Sequence, residues 1–336
     1  MHTRTFQLDR FNTLEGLMRH DGDAPLPGPG QVLVRVRARS LNQRDLLIMQ
    51  QRYAVPARAG VVPLSDGAGE VVALGDHVNG FVVGERVAAT YFPRWRDGKL
   101  TLAMGADQFG CTRDGMLADF VLCDASALVK LPEHLSFVEA CTLPCAGVTA
   151  WNALVGGRPL TPGDVVLTIG TGGVAMFAVQ LAKLFGARVV ALTSSADKEA
   201  RLRRLGADEV VDRSRHGDWA AQVRKLTQGR GVDHVVETGA IDSLAHSLAA
   251  CAPNAELALV ATLGEGNLDA SALRGLVTIR RLFVGSRASF EMLNRAVAQH
   301  RLRPIVDRVF PFADAPEAYA HFAMRRHVGK VVIADE

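Results

Sequence analysis

The sequence predicts an α/β protein in two parts, a β-rich module and a doubly wound, six-stranded parallel sheet with helices on both faces. Three observations carry this prediction. Residues 1 to about 125 read as short strands separated by glycine and proline turns. From about Leu135 helical and strand-like segments alternate, the pattern of a parallel sheet covered on both sides. Between them in importance stands the run 165–175, where an apolar strand breaks into Gly170-Thr171-Gly172-Gly173 and then opens an amphipathic helix.

In chain order, Pro25, Pro27, Gly28, Pro29 and Gly30 punctuate a turn before Gln31–Ser40. There Val32, Val34, Val36 and Ala38 alternate with Arg35, Arg37 and Arg39, which predicts a half-exposed strand with its arginines on the open face. Residues 67–75 and 84–88 read as further short strands. The later strands are expected at 164–169, 188–193, 209–212, 234–238, 256–261 and 279–284, with Val174, Phe177, Ala178, Leu181 and Phe185 marking the first intervening helix. Beyond them a helix (290–300), a strand near 305–309, a helix (315–324) and a strand (330–333) return to the first module. The expected domains are therefore 1–125, 126–285 and the return 286–336, in a chain of 336 residues whose 48% apolar content supports two cores.

A formal charge of +3, without a basic run interleaved with aromatics, argues against a nucleic-acid partner. No stretch approaches the roughly 18 apolar residues of a membrane span, and Met1 to Gln7 shows no apolar leader, so a cytoplasmic protein is expected. The five cysteines, Cys111, Cys123, Cys141, Cys145 and Cys251, form no CxxC pair and read as reduced thiols.

The glycine turn has a specific physical use. Gly170 permits the tight turn off the strand, Gly172 lets backbone N–H groups approach a pyrophosphate, and Ala175 allows close helix–strand packing, while the helix start at Gly173 and Val174 supplies unpaired donors. A dinucleotide is the implied ligand, although a purely structural tight turn can carry the same letters. The second strand ends in Thr193, where an NAD site would place an acid on the ribose. Ser194, Ser195, Lys198 and, further on, Arg201 could hold a 2′-phosphate, so NADPH is the expected cofactor; the serines also suit a helix cap near Asp197, and the basic run a solvated face. Thr171, Thr238-Gly239, Thr262-Leu263-Gly264 and Gly285-Ser286 are the other expected cofactor neighbours, with Gly239 and Gly264 equally suited to ordinary turns.

Several motifs in order resemble the medium-chain dehydrogenase/reductase superfamily: residues 31–36 (QVLVRV), 40–45 (SLNQRD), 63–72 (PLSDGAGEVV), 143–151 (LPCAGVTAW), the Gly170 turn, and 329–332 (GKVV). The resemblance spans the whole chain and implies a GroES-like catalytic domain joined to a Rossmann domain. It also implies that zinc-binding members would carry Cys at Asn42, His at Ser65 and Cys at Cys145, so two of three ligands are replaced and no metal is expected. The four-cysteine lobe of zinc members is reduced to Cys111 within 91–112. The Asn42–Asp45 element is similar to that of zinc-independent quinone oxidoreductases, which implies Asn42, with Gln43 or Tyr53, as the groups holding a substrate oxygen. Relatives often carry Tyr or Pro where this chain has Gln43. Thr149 and Lys330 are implied at the cofactor, and Phe92, Trp95 and Phe109 suit an apolar pocket wall as well as ordinary core.

The expected activity is NADPH-dependent reduction of a quinone or α,β-unsaturated carbonyl, whose extended π system spreads the developing charge without a Lewis acid. The alternatives are an alcohol dehydrogenase or aldehyde reductase on the same scaffold, and an NADPH-binding sensor or structural protein with little turnover. Members commonly dimerise through the sixth strand, here 279–284, with Leu282, Phe283 and Val284 at the seam.

Overall fold

The computed structural model describes residues 1–260 and 266–335, and its contacts divide them into two units, Met1–Val148 with Gly285–Glu336, and Thr149–Val284. In the first unit, Gln31–Ser40 is the strand on which the others assemble. It pairs antiparallel with Asp66–Leu74, Phe120–Asp124 and Lys330–Ala334, and Lys330–Ala334 pairs in parallel with Val306–Pro311. Arg86–Ala89 and Leu128–Lys130 extend the far side of the sheet. The core beneath includes Val32, Val34, Val36, Leu64, Val71, Leu117, Tyr319 and Ile333. Gly69 is required for this assembly, because a Cβ there would lie 2.0 Å from the Arg35 carbonyl oxygen across the strand pair.

Two expectations change here. The first unit extends to Val148, not to 125: Leu128–Lys130 pairs into its sheet, and Ser40 and Asp66 hydrogen-bond the backbone of Cys141 and Cys145; Gly285 also falls with it. Arg39, expected on an open face with Arg35 and Arg37, is fully buried. The pairing shifts register between Val36 and Ala38, and the Arg39 guanidinium then donates to the carbonyls of Met116 (3.1 Å) and Ala118 (2.5 Å) and to Asp335 Oδ2 (2.9 Å), stacked over the Phe312 ring.

The second unit is a six-stranded sheet in the order Glu209–Asp212, Arg188–Thr193, Val165–Ile169, Val232–Glu237, Cys251–Leu259, Val277–Arg281, each neighbour parallel. All five residues of Val165–Ile169 are buried, as a strand covered on both faces must be. The strand order reverses beside Val165–Ile169, so that strand's carboxyl end is the topological switch point at which such sheets take ligands. The sixth strand ends at Arg281 and does not run over 279–284. Leu282 and Val284 are buried beyond it, and Val284 adopts a left-handed φ of +49° that no strand continues through. The end of the expected strand 256–261 falls at Ala261, outside the described residues.

Candidate active site

In the first unit, Asn42 sits in extended conformation immediately before the helix Gln43–Met49, and its N–H donates to Asp45 Oδ2 at 2.7 Å. This is why the motif spaces the two residues by three: the acid three positions on returns to satisfy an orphan donor at the helix start. Burial pushes the Asp45 carboxyl up to about 6, against the opposing pull of Arg44 and of the Asn42 N–H.

The Asn42 side chain faces a second chain segment. Lys330 on the last strand donates from Nζ to Asn42 Oδ1 at 2.6 Å and to the Leu41 carbonyl at 2.7 Å, and lies 3.6 Å from Asp66 Oδ2. Asp66 accepts from Ser65 Oγ (2.8 Å), Ser40 Oγ (3.3 Å) and the Cys145 N–H (3.3 Å). Asn42, Ser65, Asp66 and Lys330 are all buried. The other end of the Asn42 amide, Nδ2, is buried with no hydrogen-bond partner among the described residues. Such an unmet donor costs about 1–3 kcal/mol unless a water or a ligand acceptor meets it. Cys145 lies in a π-helical turn, Leu143–Gly147, and burial followed by the Asp66 charge pushes its thiol far up.

The remaining substrate-side candidates separate. Gln43 is exposed at the first helical position. Tyr53 is half-buried, its hydroxyl 2.8 Å from that of Tyr91 and donating to Gln108 Oε1 at 3.0 Å. Arg44 stacks over both rings and donates to the Phe109 carbonyl and, at 3.3 Å, to Gln108 Oε1. Arg44, Asp66, Tyr91 and Gln108 enter this geometry without having been singled out as functional. Arg44 and Gln108 are 64 positions apart, so no spacing rule could have joined them. Phe92 and Phe109 are buried and Trp95 is half-buried, edge-on to Phe92.

In the second unit, Gly170 turns with φ +82° off Val165–Ile169, and the helix Gly173–Leu184 begins after Gly172. Gly172 itself has an ordinary φ of −73°, and a Cβ there would meet nothing within 4 Å. Neither backbone conformation nor neighbouring protein atoms require glycine at that position, so the open space fits a phosphate cradle. Lys198 reaches the same turn, donating to Thr171 Oγ1 at 3.0 Å. At the end of Arg188–Thr193, Thr193 is buried and shares hydrogen bonds with the Ser195 backbone, while Ser194 is exposed. Thr238 donates to the Ile169 carbonyl beside the switch point, and the Gly239 N–H donates to buried Glu237 at 2.7 Å. Thr149 is buried in the helix Val148–Val155. Thr262 and Gly264 lie outside the described residues. In the first unit, Ser286 caps the helix Arg287–Gln299 by accepting from the Ser289 N–H, and a Cβ at Gly285 would lie 2.8 Å from Val148.

A strand-order-reversed parallel sheet with a glycine turn at its switch point, joined in sequence to a β-rich unit of this topology, defines a nicotinamide-type oxidoreductase. The comparisons agree. The chain matches the Alcohol dehydrogenase GroES-like domain over residues 28–133 and the Zinc-binding dehydrogenase domain over 173–299. It is 38% identical to a zinc-type alcohol dehydrogenase-like protein of Schizosaccharomyces pombe, over 91% of each chain. Among solved structures, a protein of Sinorhizobium meliloti 1021 provisionally named alcohol dehydrogenase superposes with TM-score 0.92 at 35% identity, over 99% of this chain and 98% of that one. An NAD-dependent alcohol dehydrogenase follows at TM-score 0.89 and 32% identity, over 99% and 100%. The quinone oxidoreductase of Coxiella burnetii gives 0.82 at 25%, over the full length of both. The chain belongs to the medium-chain dehydrogenase/reductase superfamily.

Zinc, which the names of several relatives carry, does not fit the residues present. The three positions hold an amide, a hydroxyl already committed to Asp66, and a single thiol, with the Lys330 ammonium set against the amide oxygen. Among the described residues, no group of three or more His, Cys, Asp or Glu side chains could hold a metal ion. No helix of the described residues is long and apolar enough to cross a membrane.

Proposed function

We propose that the chain is a zinc-independent, NADPH-dependent reductase of quinones or α,β-unsaturated carbonyls, acting in the cytoplasm. The observation that carries this reading is the Asn42 amide, whose buried Nδ2 lacks an acceptor at a position where zinc-binding relatives have a metal ligand. When bound, the nicotinamide supplies a hydride. The Asn42 Nδ2 donates to the substrate oxygen and stabilises the negative charge that develops there as the conjugated system is reduced. Gln43, exposed beside it, is a second amide donor within the same turn. Tyr53 and Tyr91 hold a hydroxyl pair in which Tyr53 donates onward to Gln108, and this pair or water returns the proton.

The cofactor residues are proposed as Thr149, Gly170, Thr171, Gly172, Gly173, Val174, Thr193, Ser194, Ser195, Lys198, Thr238, Gly239, Thr262, Gly285 and Ser286; Lys330, implied at the cofactor by the resemblance, is instead committed to Asn42, Leu41 and Asp66. Support for the phosphorylated cofactor is the absence of a carboxylate at Thr193 together with the Lys198 ammonium at the glycine turn. Initial rates of NADPH oxidation, with chelator present, against a quinone, a linear enone and a simple aldehyde test the whole reading. Turnover of quinone or enone without aldehyde is the expected result. Turnover of aldehyde alone would place the chain with the alcohol dehydrogenases that its relatives' names suggest.

A further inference from the structure

The two ends of an asparagine amide have the same shape and opposite hydrogen-bonding character, so a site that uses the N–H end must fix which way the amide points. Lys330 supplies that constraint. An ammonium has donors only, so the end of Asn42 that meets Lys330 Nζ at 2.6 Å is the oxygen. The ammonium is itself held: its second bond goes to the Leu41 carbonyl at 2.7 Å, and Asp66, 3.6 Å away, balances its charge in a pocket that exposes only 2% of Lys330. Asp66 is fixed in turn by Ser40, Ser65 and the Cys145 N–H.

Without the ammonium the amide oxygen loses its charged donor and keeps only the backbone N–H of Asp45 at the helix start. The Leu41 carbonyl and the Asp66 carboxylate, the other partners of the ammonium, are then left without it, and as acceptors they favour an amide turned with its N–H inward.

We propose that Lys330 is a positioning residue, whose buried ammonium holds the Asn42 amide oxygen inward so that Nδ2 is presented to the substrate oxygen; this differs from a cofactor contact at Lys330. The inference rests on the reading of Asn42 given under Proposed function. It also assigns a cation to the neighbourhood of the vanished metal positions, one that polarises the amide donor through its oxygen, as linked hydrogen bonds do.

Three measurements on the full chain test it together. In protein labelled with 15N-asparagine, the side-chain NH2 pair that disappears in Asn42→Ala identifies Asn42, and it should shift in Lys330→Met and Lys330→Gln but stay close to its wild-type position in Lys330→Arg, which keeps a donor-only cation. In steady-state assays, Lys330→Met should lower kcat about 10- to 100-fold, less than the roughly 10²- to 10³-fold of an oxyanion donor removed outright, with the NADPH Kd changed by less than about twofold. In the Asn42→Ala background the same substitution should have no further effect on kcat. Lys330→Gln repeats the test with a neutral side chain able to donate or accept, should Lys330→Met fail to fold. An unmoved Asn42 resonance, additive losses in the double variant, or a tenfold weaker NADPH Kd with kcat intact would each overturn the proposal. If the wild-type chain turns over none of the panel, the activity reading fails while the Asn42 resonance still decides the role of Lys330.

Discussion

At the scale of single residues, the chemistry is set by what each polar group is left to do once its neighbours are satisfied. Asn42 keeps one unmet donor, so Asn42→Ala should reduce kcat with quinone or enone by about 10²-fold and leave NADPH binding within a factor of two; equal loss of both would remove Asn42 from the substrate. Lys198 tests the cofactor. Lys198→Ala should lower kcat/KM for NADPH by roughly tenfold or more, the value of one charge-assisted bond, and leave the NADH value unchanged. A parallel loss with both cofactors would show that Lys198 supports the turn through Thr171 and does not read the phosphate. Asp45 carries a pH signature. Its folded pKa of about 6 stands above the usual 3.8, so the folded state holds the proton more tightly than the unfolded chain. The ionised carboxyl therefore costs stability above pH 6, and that cost disappears below about 4. Asp45→Asn keeps an acceptor for the Asn42 N–H, and its melting temperature relative to wild type should rise between pH 4 and pH 7.5, corresponding to roughly 1–3 kcal/mol. A pH-independent difference would mean that Arg44 fully offsets the burial.

Among elements, the glycine turn separates folding from binding. Because Gly172 has φ −73° and open space at its Cβ, Gly172→Ala should melt at or slightly above the wild-type temperature, as alanine reduces the entropy of the unfolded chain. Its NADPH Kd, measured by fluorescence titration, should weaken by at least about tenfold as the methyl enters the phosphate's place. Unchanged affinity would move the phosphate elsewhere. The strand Gln31–Ser40 shows the limit of pattern reading. Alternation correctly placed Val32, Val34 and Val36 in the core, but it assigned Arg39 the same open face as Arg35. A register shift inside the pairing with Asp66–Leu74 cannot be read from one strand's letters, and it is that shift, with the backbone carbonyls of Met116 and Ala118, that accepts a buried guanidinium. Arg39→Met removes the donors of the Met116 and Ala118 carbonyls and leaves Asp335 to Arg4 alone, and should cost about 1–3 kcal/mol for each carbonyl left unmet, read as a lower denaturation midpoint.

Across the described residues, the two larger sheets and their cores serve different purposes. The parallel sheet offers a switch point and the phosphate turn; the β-rich unit brings residues 42, 66 and 330 together by pairing its central strand with the last one. The edge strand Val277–Arg281 pairs on one side only, and an unpaired edge is a template for a second copy. A homodimer through this edge is the proposed assembly, with Ile279 and Phe283 exposed at and just beyond it. Light scattering should therefore give twice the 36.1 kDa chain mass. A monomer would refute the dimer, and a dimer unaffected by Ile279→Lys would place the seam elsewhere.

Local chemistry was legible in the sequence because it depends on near neighbours: the strand–glycine–helix turn at 165–175, the Asn42–Asp45 spacing at a helix start, the missing acid at Thr193, and the alternation that separates β-rich from wound segments. Distant pairing was not. The partner of the Asn42 amide is 288 positions away, the Tyr53–Tyr91–Gln108 set spans 55, and the sixth strand stops at Arg281 although the letters Leu-Phe-Val after it continue to look extended. A sequence fixes which groups are available and which local conformations they favour. Which donor meets which acceptor depends on register and on the order in which strands lie side by side, and only the folded chain, having excluded water from those groups, decides it.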